Sequence, residues 1–142
     1  MALEQIKATL AGTWNIDRDE NLDEYLDAIK IGSVKKQVVK KLKPTLTISV
    51  DGDTIEVKIA GGPADVMTVK NRFKLEETFI ADAAGVTGEG LTKFVDGRLE
   101  TDVTPKDKDK PKQKIIREVV NGELVQTMLV GDVTSKRIFK KK

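Results

Sequence analysis

The sequence predicts a mainly β fold, a ten-stranded antiparallel up-and-down barrel capped by a helix-turn-helix. Three dipeptides mark tight hairpins, because both central positions of such turns favour residues that tolerate positive φ: Asp51-Gly52, Asp96-Gly97 and Asn121-Gly122. Strand-like segments recur at roughly ten-residue spacing, and helical periodicity is confined to the stretch between the first and second strands. An antiparallel meander of this size tends to close on itself, since closure removes its exposed edges.

The helical stretch divides into two amphipathic helices that follow a first strand around Gly12–Ile16. In the first helix, the apolar residues at i, i+3, i+4 and i+7 are Leu22, Tyr25, Leu26 and Ile29. Asn21 suits its N-cap and Gly32 its end. The second helix is expected from Ile31 to Leu42, before Pro44. One side of this helix carries an apolar stripe, formed by Ile31, Val34, Val38 and Leu42. The opposite side is basic and carries Lys36, Lys40 and Lys43.

Beyond Pro44 the chain carries only strand signals, separated by turns. The nine further strands are expected near Thr45–Val50, Asp53–Ile59, Val66–Arg72, Phe73–Ile80, Glu89–Val95, Arg98–Val103, Lys112–Val120, Glu123–Val130 and Val133–Lys140. Two connections, Ala60–Pro63 and the charged Thr104–Pro111, are expected to be exposed, mobile loops.

Composition excludes several classes of function. The 142 residues contain no Cys and no His, which rules out disulfides, thiolate nucleophiles, histidine bases and the ordinary zinc sites. We find no paired-carboxylate motif, P-loop or dinucleotide fingerprint. The sequence therefore predicts a protein that is not an enzyme and that has no cofactor and no metal site.

Charge and length narrow the remaining classes. A net charge of +2, from 25 basic and 23 acidic residues, disfavours a protein built around nucleic-acid phosphates. No apolar run approaches the roughly 20 residues that span a bilayer, and no secretory signal peptide is visible. We expect a cytoplasmic monomer in which residues 1–142 form a single domain.

Two arginines stand among apolar residues of predicted strands. Alternation places Arg137 on one face with Val133 and Phe139, and Arg117 on one face with Ile115 and Val119. A guanidinium on the enclosed face of a sheet needs an anion, because burying an unpaired charge is costly, and that anion is either a ligand or a carboxylate of the chain. From alternation alone, both arginines can equally point into solvent or pair with an acid such as Glu118.

An ordered set of short segments resembles the cytosolic fatty-acid-binding proteins, members of the intracellular lipid-binding family in the calycin superfamily. The segments, which span nearly the whole chain, are Gly12-Thr13-Trp14, Asn21-Leu22-Asp23-Glu24-Tyr25-Leu26, Gln37-Val38, Lys43-Pro44-Thr45, Asp51-Gly52-Asp53, Phe73-Lys74-Leu75, Ile116-Arg117-Glu118, Asn121-Gly122-Glu123-Leu124 and Val130-Gly131-Asp132-Val133-Thr134-Ser135-Lys136-Arg137. The resemblance implies a β-clam, a ten-stranded barrel closed by a helix-turn-helix around a lipid cavity. It also implies that the carboxylate-binding arginines of the family fall on Arg117 and Arg137.

The chain departs from the family pattern at three places, one of which is Leu46, where many relatives have a small hydroxyl residue. Most relatives have a tyrosine two residues after the second arginine, whereas this chain has Phe139, which has no hydroxyl to donate. Retinol-binding members also have phenylalanine there but replace the arginines by glutamines, so the retained arginines favour an acid ligand. Residues Gly61–Pro63 resemble an insertion, so the lid of the family cannot be carried over.

The resemblance and alternation together predict intracellular transport of a long-chain fatty acid or similar hydrophobic carboxylate. The predicted ligand-binding residues are Arg117, Arg137, Phe139, Gln126, Met128, Ile115, Tyr25, Leu26, Leu22, Val34 and Val39. The predicted basic side of the second helix is either a solvated face or a site of transient contact with an anionic membrane. Two alternatives stay open: a stress-protective or structural barrel related to heat-soluble lipid-binding-like proteins, and a retinoid-binding member of the family.

Overall fold

The computed structural model describes residues 2–61, 67–83 and 86–142, which form three helices and ten strands. The helices are α1 (Ala2–Thr9), α2 (Leu22–Ala28) and α3 (Ser33–Lys41). The strands are β1 (Gly12–Glu20), β2 (Thr45–Asp51), β3 (Thr54–Gly61), β4 (Met67–Phe73), β5 (Phe79–Ala83), β6 (Val86–Val95), β7 (Arg98–Pro105), β8 (Gln113–Val120), β9 (Glu123–Val130) and β10 (Val133–Lys141). The prediction of ten strands with a helix pair after the first is confirmed.

The strands form one antiparallel sheet that curls into a nearly closed barrel. Their spatial order is β4-β3-β2-β1-β10-β9-β8-β7-β6-β5, so that β1 pairs with β10 and the edges of the sheet are β4 and β5. One side chain bridges these edges. Asn71 Nδ2 donates to Asp82 O, and Asp82 N donates to Asn71 Oδ1, both at 2.9 Å. The amide of Asn71 thus supplies a donor and an acceptor between β4 and β5, whose described residues are not paired as neighbouring strands of the sheet.

The turns follow the predicted hairpins with one shift. Asp96 and Gly97, at φ of 50° and 82°, connect β6 to β7, and Asn121 and Gly122 connect β8 to β9 in the same way. Between β2 and β3 the loop is Gly52-Asp53 rather than the predicted Asp51-Gly52, because Asp51 pairs with Thr54.

One predicted strand boundary is wrong. Residues Phe73 to Ile80 were expected to form one strand, whereas β4 ends at Phe73 and β5 begins at Phe79. The two phenylalanine rings stack, with centroids 4.9 Å apart. Phe73 is buried and Phe79 is partly buried, so the two apolar residues contact each other across a turn instead of continuing one strand. Of the predicted loop Ala60–Pro63, Gly62 and Pro63 lie outside the described residues, as does Val66 at the predicted start of the fourth strand.

The expectation that helices occur only after the first strand is also wrong, because α1 precedes β1. Ile6 and Leu10 are fully buried, and the indole of Trp14 donates to Leu10 O at 3.0 Å. Leu3, Ile6 and Leu10 stand at i, i+3 and i+7, a short helical period that the sequence-based prediction did not use. Their helix is stabilised by docking on the barrel rather than by its own length.

Two apolar clusters divide the interior. The lower core packs α1 against the barrel and contains Ile6, Leu10, Trp14, Leu46, Ile48, Ile55, Val57, Phe73, Leu99, Leu124 and Phe139. The helices α2 and α3 form the helical cap. The upper cluster joins this cap to the barrel, and its residues are Leu22, Tyr25, Leu26, Ile29, Ile115, Met128 and Val130. Among the described residues, we find no helix long and apolar enough to cross a bilayer.

The helical cap is joined to the barrel at both ends of α2. Asn21 occupies the predicted N-cap position, yet its side chain makes no capping bond, and its Nδ2 donates to Thr134 O on β10 at 2.9 Å. After α2, Lys30 adopts φ of 59°. Lys110 Nζ donates to Lys30 O at 2.6 Å, so the charged β7–β8 loop contacts the turn between the two cap helices.

Candidate functional site

A cavity lies inside the barrel beneath the helical cap. Its apolar lining residues come from the cap and from most strands: Leu22, Leu26, Val39, Leu42, Pro44, Val57, Ile59, Val69, Phe73, Phe79, Ala81, Val103, Ile115 and Met128. Its polar lining residues are Tyr25, Asn71, Asp82, Thr101, Gln113, Arg117, Gln126 and Arg137. A mainly apolar cavity with a few placed polar groups is typical of a site for a hydrophobic ligand with a polar end.

Arg117 is a cation buried without an acidic partner. It lies on β8 directly opposite Gln126 of β9, is 6% exposed, and its Nε donates to Gln126 Oε1 at 2.9 Å. It forms no ion pair with any acid in the described part of the chain. Burial lowers the pKa of Arg117 to about 10, so the guanidinium stays charged at neutral pH. A carboxylate brought by a ligand supplies the missing countercharge.

Arg137, by contrast, already has a carboxylate. It is buried on β10, and its Nε donates to Asp19 Oδ1 of β1 at 2.7 Å. A bulge sets this pairing: Ile16 faces Phe139, but the register then shifts so that Asp19 faces Arg137. The alternative that an arginine pairs with an acid of the chain is therefore correct for Arg137, although its acid is Asp19 rather than Glu118.

Tyr25 and Gln113 form a polar pair near the cap. The Tyr25 hydroxyl donates to Gln113 Oε1 at 2.7 Å, which joins α2 to β8. Burial raises the pKa of Tyr25, so its hydroxyl stays protonated. Gln113 Nε2 is buried and has no hydrogen-bond partner among the described residues. The pair therefore leaves one donor without an acceptor.

Nine of the eleven predicted ligand-binding residues line this cavity: Arg117, Arg137, Gln126, Met128, Ile115, Tyr25, Leu26, Leu22 and Val39. Phe139 is not among the lining residues. It is 1% exposed and packs in the lower core, so it contributes apolar contacts beneath the cavity instead.

Val34 does not line the cavity either, because α3 is rotated relative to the predicted stripe. Val34 is 79% exposed and Val38 is 37% exposed, whereas Val39 packs against the upper cluster and lines the cavity with Leu42. The inner face of α3 therefore follows Val39 and Leu42 rather than Val34 and Val38. The apolar spacing that suggested the other face leaves Val34 in solvent.

The lysines of α3 differ in their partners. Lys36 Nζ lies 2.9 Å from Asp27 Oδ1 and 3.8 Å from Asp23 Oδ1, and Lys40 Nζ lies 2.7 Å from Asp23 Oδ1. These acids belong to α2, so the two lysines connect the helices of the cap. Lys43 is exposed beyond the end of α3.

Sequence reasoning missed several lining residues that strand parity could have found. Gln113 precedes Ile115 and Arg117 by two and four residues on the same strand, so alternation assigns all three to one face. Asn71 shares a face with Phe73 on β4 in the same way. The signal was present at both positions, but their polar side chains were not considered as part of a lipid cavity.

Together, the barrel, the helical cap and the buried arginine define an internal-cavity binding protein. The chain is 33% identical over 144 residues to a fatty acid-binding protein of Lepidoglyphus destructor, with 94% of this chain and 98% of that protein covered. It is 30% identical to human intestinal fatty acid-binding protein, covering 91% and 96%. The chain belongs to the fatty-acid-binding protein family.

Structural comparison agrees with this assignment at the level of the fold. The crystal structure of apo lipid binding protein 8 of Caenorhabditis elegans matches with a TM-score of 0.88 at 24% identity, covering 100% of this chain and 99% of that one. A comparison with protein-family models finds no match. Members of the family are non-catalytic carriers, in agreement with the prediction that the protein is not an enzyme.

Proposed function

We propose that this protein binds a long-chain fatty acid, or a similar hydrophobic carboxylate, with the carboxylate at Arg117 and the tail in the apolar part of the cavity. The observation that carries the proposal is that Arg117 is buried and charged, without an acid in the described part of the chain to neutralise it. The names of the relatives support the same ligand class.

Arg117 and Arg137 differ in whether the ligand has to supply a countercharge. Asp19 already neutralises Arg137, so a second carboxylate beside Arg137 gains less than one beside Arg117. Gln126 accepts from Arg117 Nε, which orients the guanidinium and leaves its terminal nitrogens for the ligand. The predicted anchor of two equal arginines thus becomes one principal arginine, Arg117, with Arg137 in a secondary role.

Affinity and specificity come from different parts of the ligand. Each charged hydrogen bond contributes about 1.5–3 kcal/mol, whereas each buried methylene contributes about 0.8 kcal/mol. A tail of many methylenes therefore supplies the larger gross term, and the carboxylate supplies the discrimination between an acid and an alcohol. We also propose that the protein carries its ligand in the cytoplasm as a monomer, and that residues 1–142 form one domain.

Native mass spectrometry of the purified protein tests the ligand class directly. The expected result is a copurifying fatty acid that delipidation removes and added oleate restores with saturable binding. Retinol or another neutral lipid in its place would refute a carboxylate ligand. Delipidated protein that takes up no oleate, yet protects other proteins on heating or drying, would instead favour a stress-protective barrel.

We extend the proposal to transient contact of α3 with an anionic membrane during ligand transfer. Val34 is exposed on this helix, and Lys43 is exposed beyond its end. Since Lys36 and Lys40 are paired with acids of α2, they contribute less than the about 1 kcal/mol expected of a free lysine near such a surface. We expect Lys43→Glu to slow oleate transfer to anionic vesicles more than to neutral ones. If Lys43→Glu slowed transfer to both kinds of vesicle equally, or to neither, membrane contact through Lys43 would be contradicted.

A further inference from the structure

Gln113 presents a hydrogen-bond donor that the described residues leave unused. Its side chain is 3% exposed and lines the cavity, and its Oε1 accepts from the Tyr25 hydroxyl. No described residue accepts from Nε2. Buried amide donors in native structures nearly always have a partner, in the protein, in ordered water or in a ligand. Because Gln113 lines a binding cavity, a ligand in that cavity can supply the acceptor.

The position of Gln113 separates this donor from the carboxylate site. Gln113 and Arg117 share one face of β8 and are four residues apart, so their Cα atoms are roughly 13 Å apart. Ile115 lies between them on that face. Arg117 bonds to Gln126 on β9, whereas Gln113 is held by Tyr25 of the cap. A chain anchored at Arg117 therefore passes Ile115 before it reaches Gln113.

We propose that Gln113 is a second recognition point, which binds an acceptor oxygen in the middle of the acyl chain. The ligand class that this favours is oxygenated long-chain fatty acids, with a keto or hydroxyl group remote from the carboxylate. The inference rests on the proposed function, because Arg117 must hold the carboxylate for Gln113 to meet the chain at that point.

The orientation of the Gln113 amide decides which ligand group it can bind. Since the hydroxyl donates to Oε1, the amide presents Nε2–H, and a ligand needs only to accept. A ketone and a hydroxyl both satisfy this requirement. The opposite amide orientation would present an oxygen, which a hydroxyl satisfies and a ketone does not.

A ligand panel on delipidated wild-type protein tests the inference without any variant. The panel is stearate, 12-ketostearate, 12-hydroxystearate and 3-hydroxystearate, measured by displacement of a fluorescent fatty acid. We expect both 12-substituted acids to bind about 3- to 10-fold more tightly than the other two, the gain from one hydrogen bond. Equal affinity across the panel, or a preference for the 12-hydroxy acid alone, overturns the assignment of Gln113 Nε2 as the donor.

Two variants test whether Gln113 causes the preference for 12-substituted acids. Gln113→Leu should reduce the ratio of 12-ketostearate to stearate affinity to near one. Ser135→Ala removes a buried hydroxyl that donates to Glu20 O, and because neither residue lines the cavity it should keep the wild-type ratio. A ratio unchanged by Gln113→Leu overturns the inference. If wild-type protein binds no stearate at all, the proposed function itself fails, whereas stearate binding without preference refutes only this inference.

Discussion

Asp19 lies directly opposite Arg137 across the β1–β10 pair, and their side chains meet at 2.7 Å. The bulge in β1 creates this relationship. If the register of Ile16 with Phe139 continued unchanged, Arg18 rather than Asp19 would face Arg137, placing two cations together. With the bulge, Arg18 points outward to Asp17 and Glu123 instead. One extra residue thus converts a like-charge contact into an ion pair.

Replacing Asp19 by Asn should destabilise the ligand-free protein and strengthen oleate binding. The change leaves Arg137 largely buried without its countercharge, at a cost of about 1–2 kcal/mol because Asp19 is 28% exposed and partly screened. Urea denaturation of delipidated protein measures the loss of stability. A tighter oleate complex in the same variant would show that Asp19 competes with the ligand for Arg137.

A double-mutant cycle with Arg137→Gln provides the control for this prediction. The destabilisation caused by Asp19→Asn should largely disappear when Arg137 is already Gln, since no buried charge is then left unpaired. Additive effects of the two substitutions would show that the ion pair does not couple the residues.

Replacing Arg117 by Met should stabilise the ligand-free protein. Burial lowers the pKa of Arg117 from its ordinary value to about 10, which corresponds to a cost of about 3 kcal/mol for keeping it charged in the folded state. Methionine fills similar space without a charge. We expect a gain of about 1–3 kcal/mol in the free energy of unfolding at pH 7, measured by urea denaturation after delipidation.

The pH dependence of that gain has a definite sign. Because the folded-state pKa lies below the unfolded-state value, the penalty is fully present below pH 10 and is lost as pH rises from 10 towards the ordinary pKa of an arginine. The stability difference between Arg117→Met and wild type should therefore shrink above pH 10. A variant less stable than wild type at pH 7 would mean that Arg117 is structurally neutralised in the folded protein.

Replacing Asn71 by Ala should loosen the seam between β4 and β5. The variant loses both hydrogen bonds to the backbone of Asp82, at about 1–2 kcal/mol. Hydrogen exchange at the Asp82 amide should accelerate more than exchange in the β8–β9 pair. Lys70→Ala, at an exposed neighbouring position on β4, is the matched control and should leave exchange near the wild-type rate. Unchanged protection of Asp82 in Asn71→Ala would show that the bridge contributes nothing to the seam.

The sequence allowed the barrel to be predicted because its turns and alternation are local signals. The hairpins at Asp96 and Asn121 follow from turn chemistry, and period 2 places Arg117 and Arg137 on the same faces as apolar neighbours. That these faces point inward follows only once the sheet is a barrel. The partner of Arg137 did not follow from alternation, because the bulge in β1 changes strand parity and is invisible in the residue pattern. Asp19 was therefore not identified.

The helical cap and α1 were harder to predict for a different reason. Each consists of short helices whose orientation depends on docking, so Val34 was predicted to line the cavity together with Val39, whereas of the two only Val39 does. Gln113 was not predicted, although it shares a face of β8 with Ile115 and Arg117.

The ratio of oleate to oleyl alcohol affinity tests the central claim most directly, since the two ligands share a tail and differ only at the polar end. It should be measured in wild type, Arg117→Met and Arg137→Gln. The account predicts that Arg117→Met lowers the ratio by roughly 10- to 100-fold, the value of a charged hydrogen bond, and that Arg137→Gln lowers it much less. Equal weakening of acid and alcohol by Arg117→Met, or a larger fall in the ratio from Arg137→Gln, would contradict the assignment of Arg117 as the carboxylate anchor.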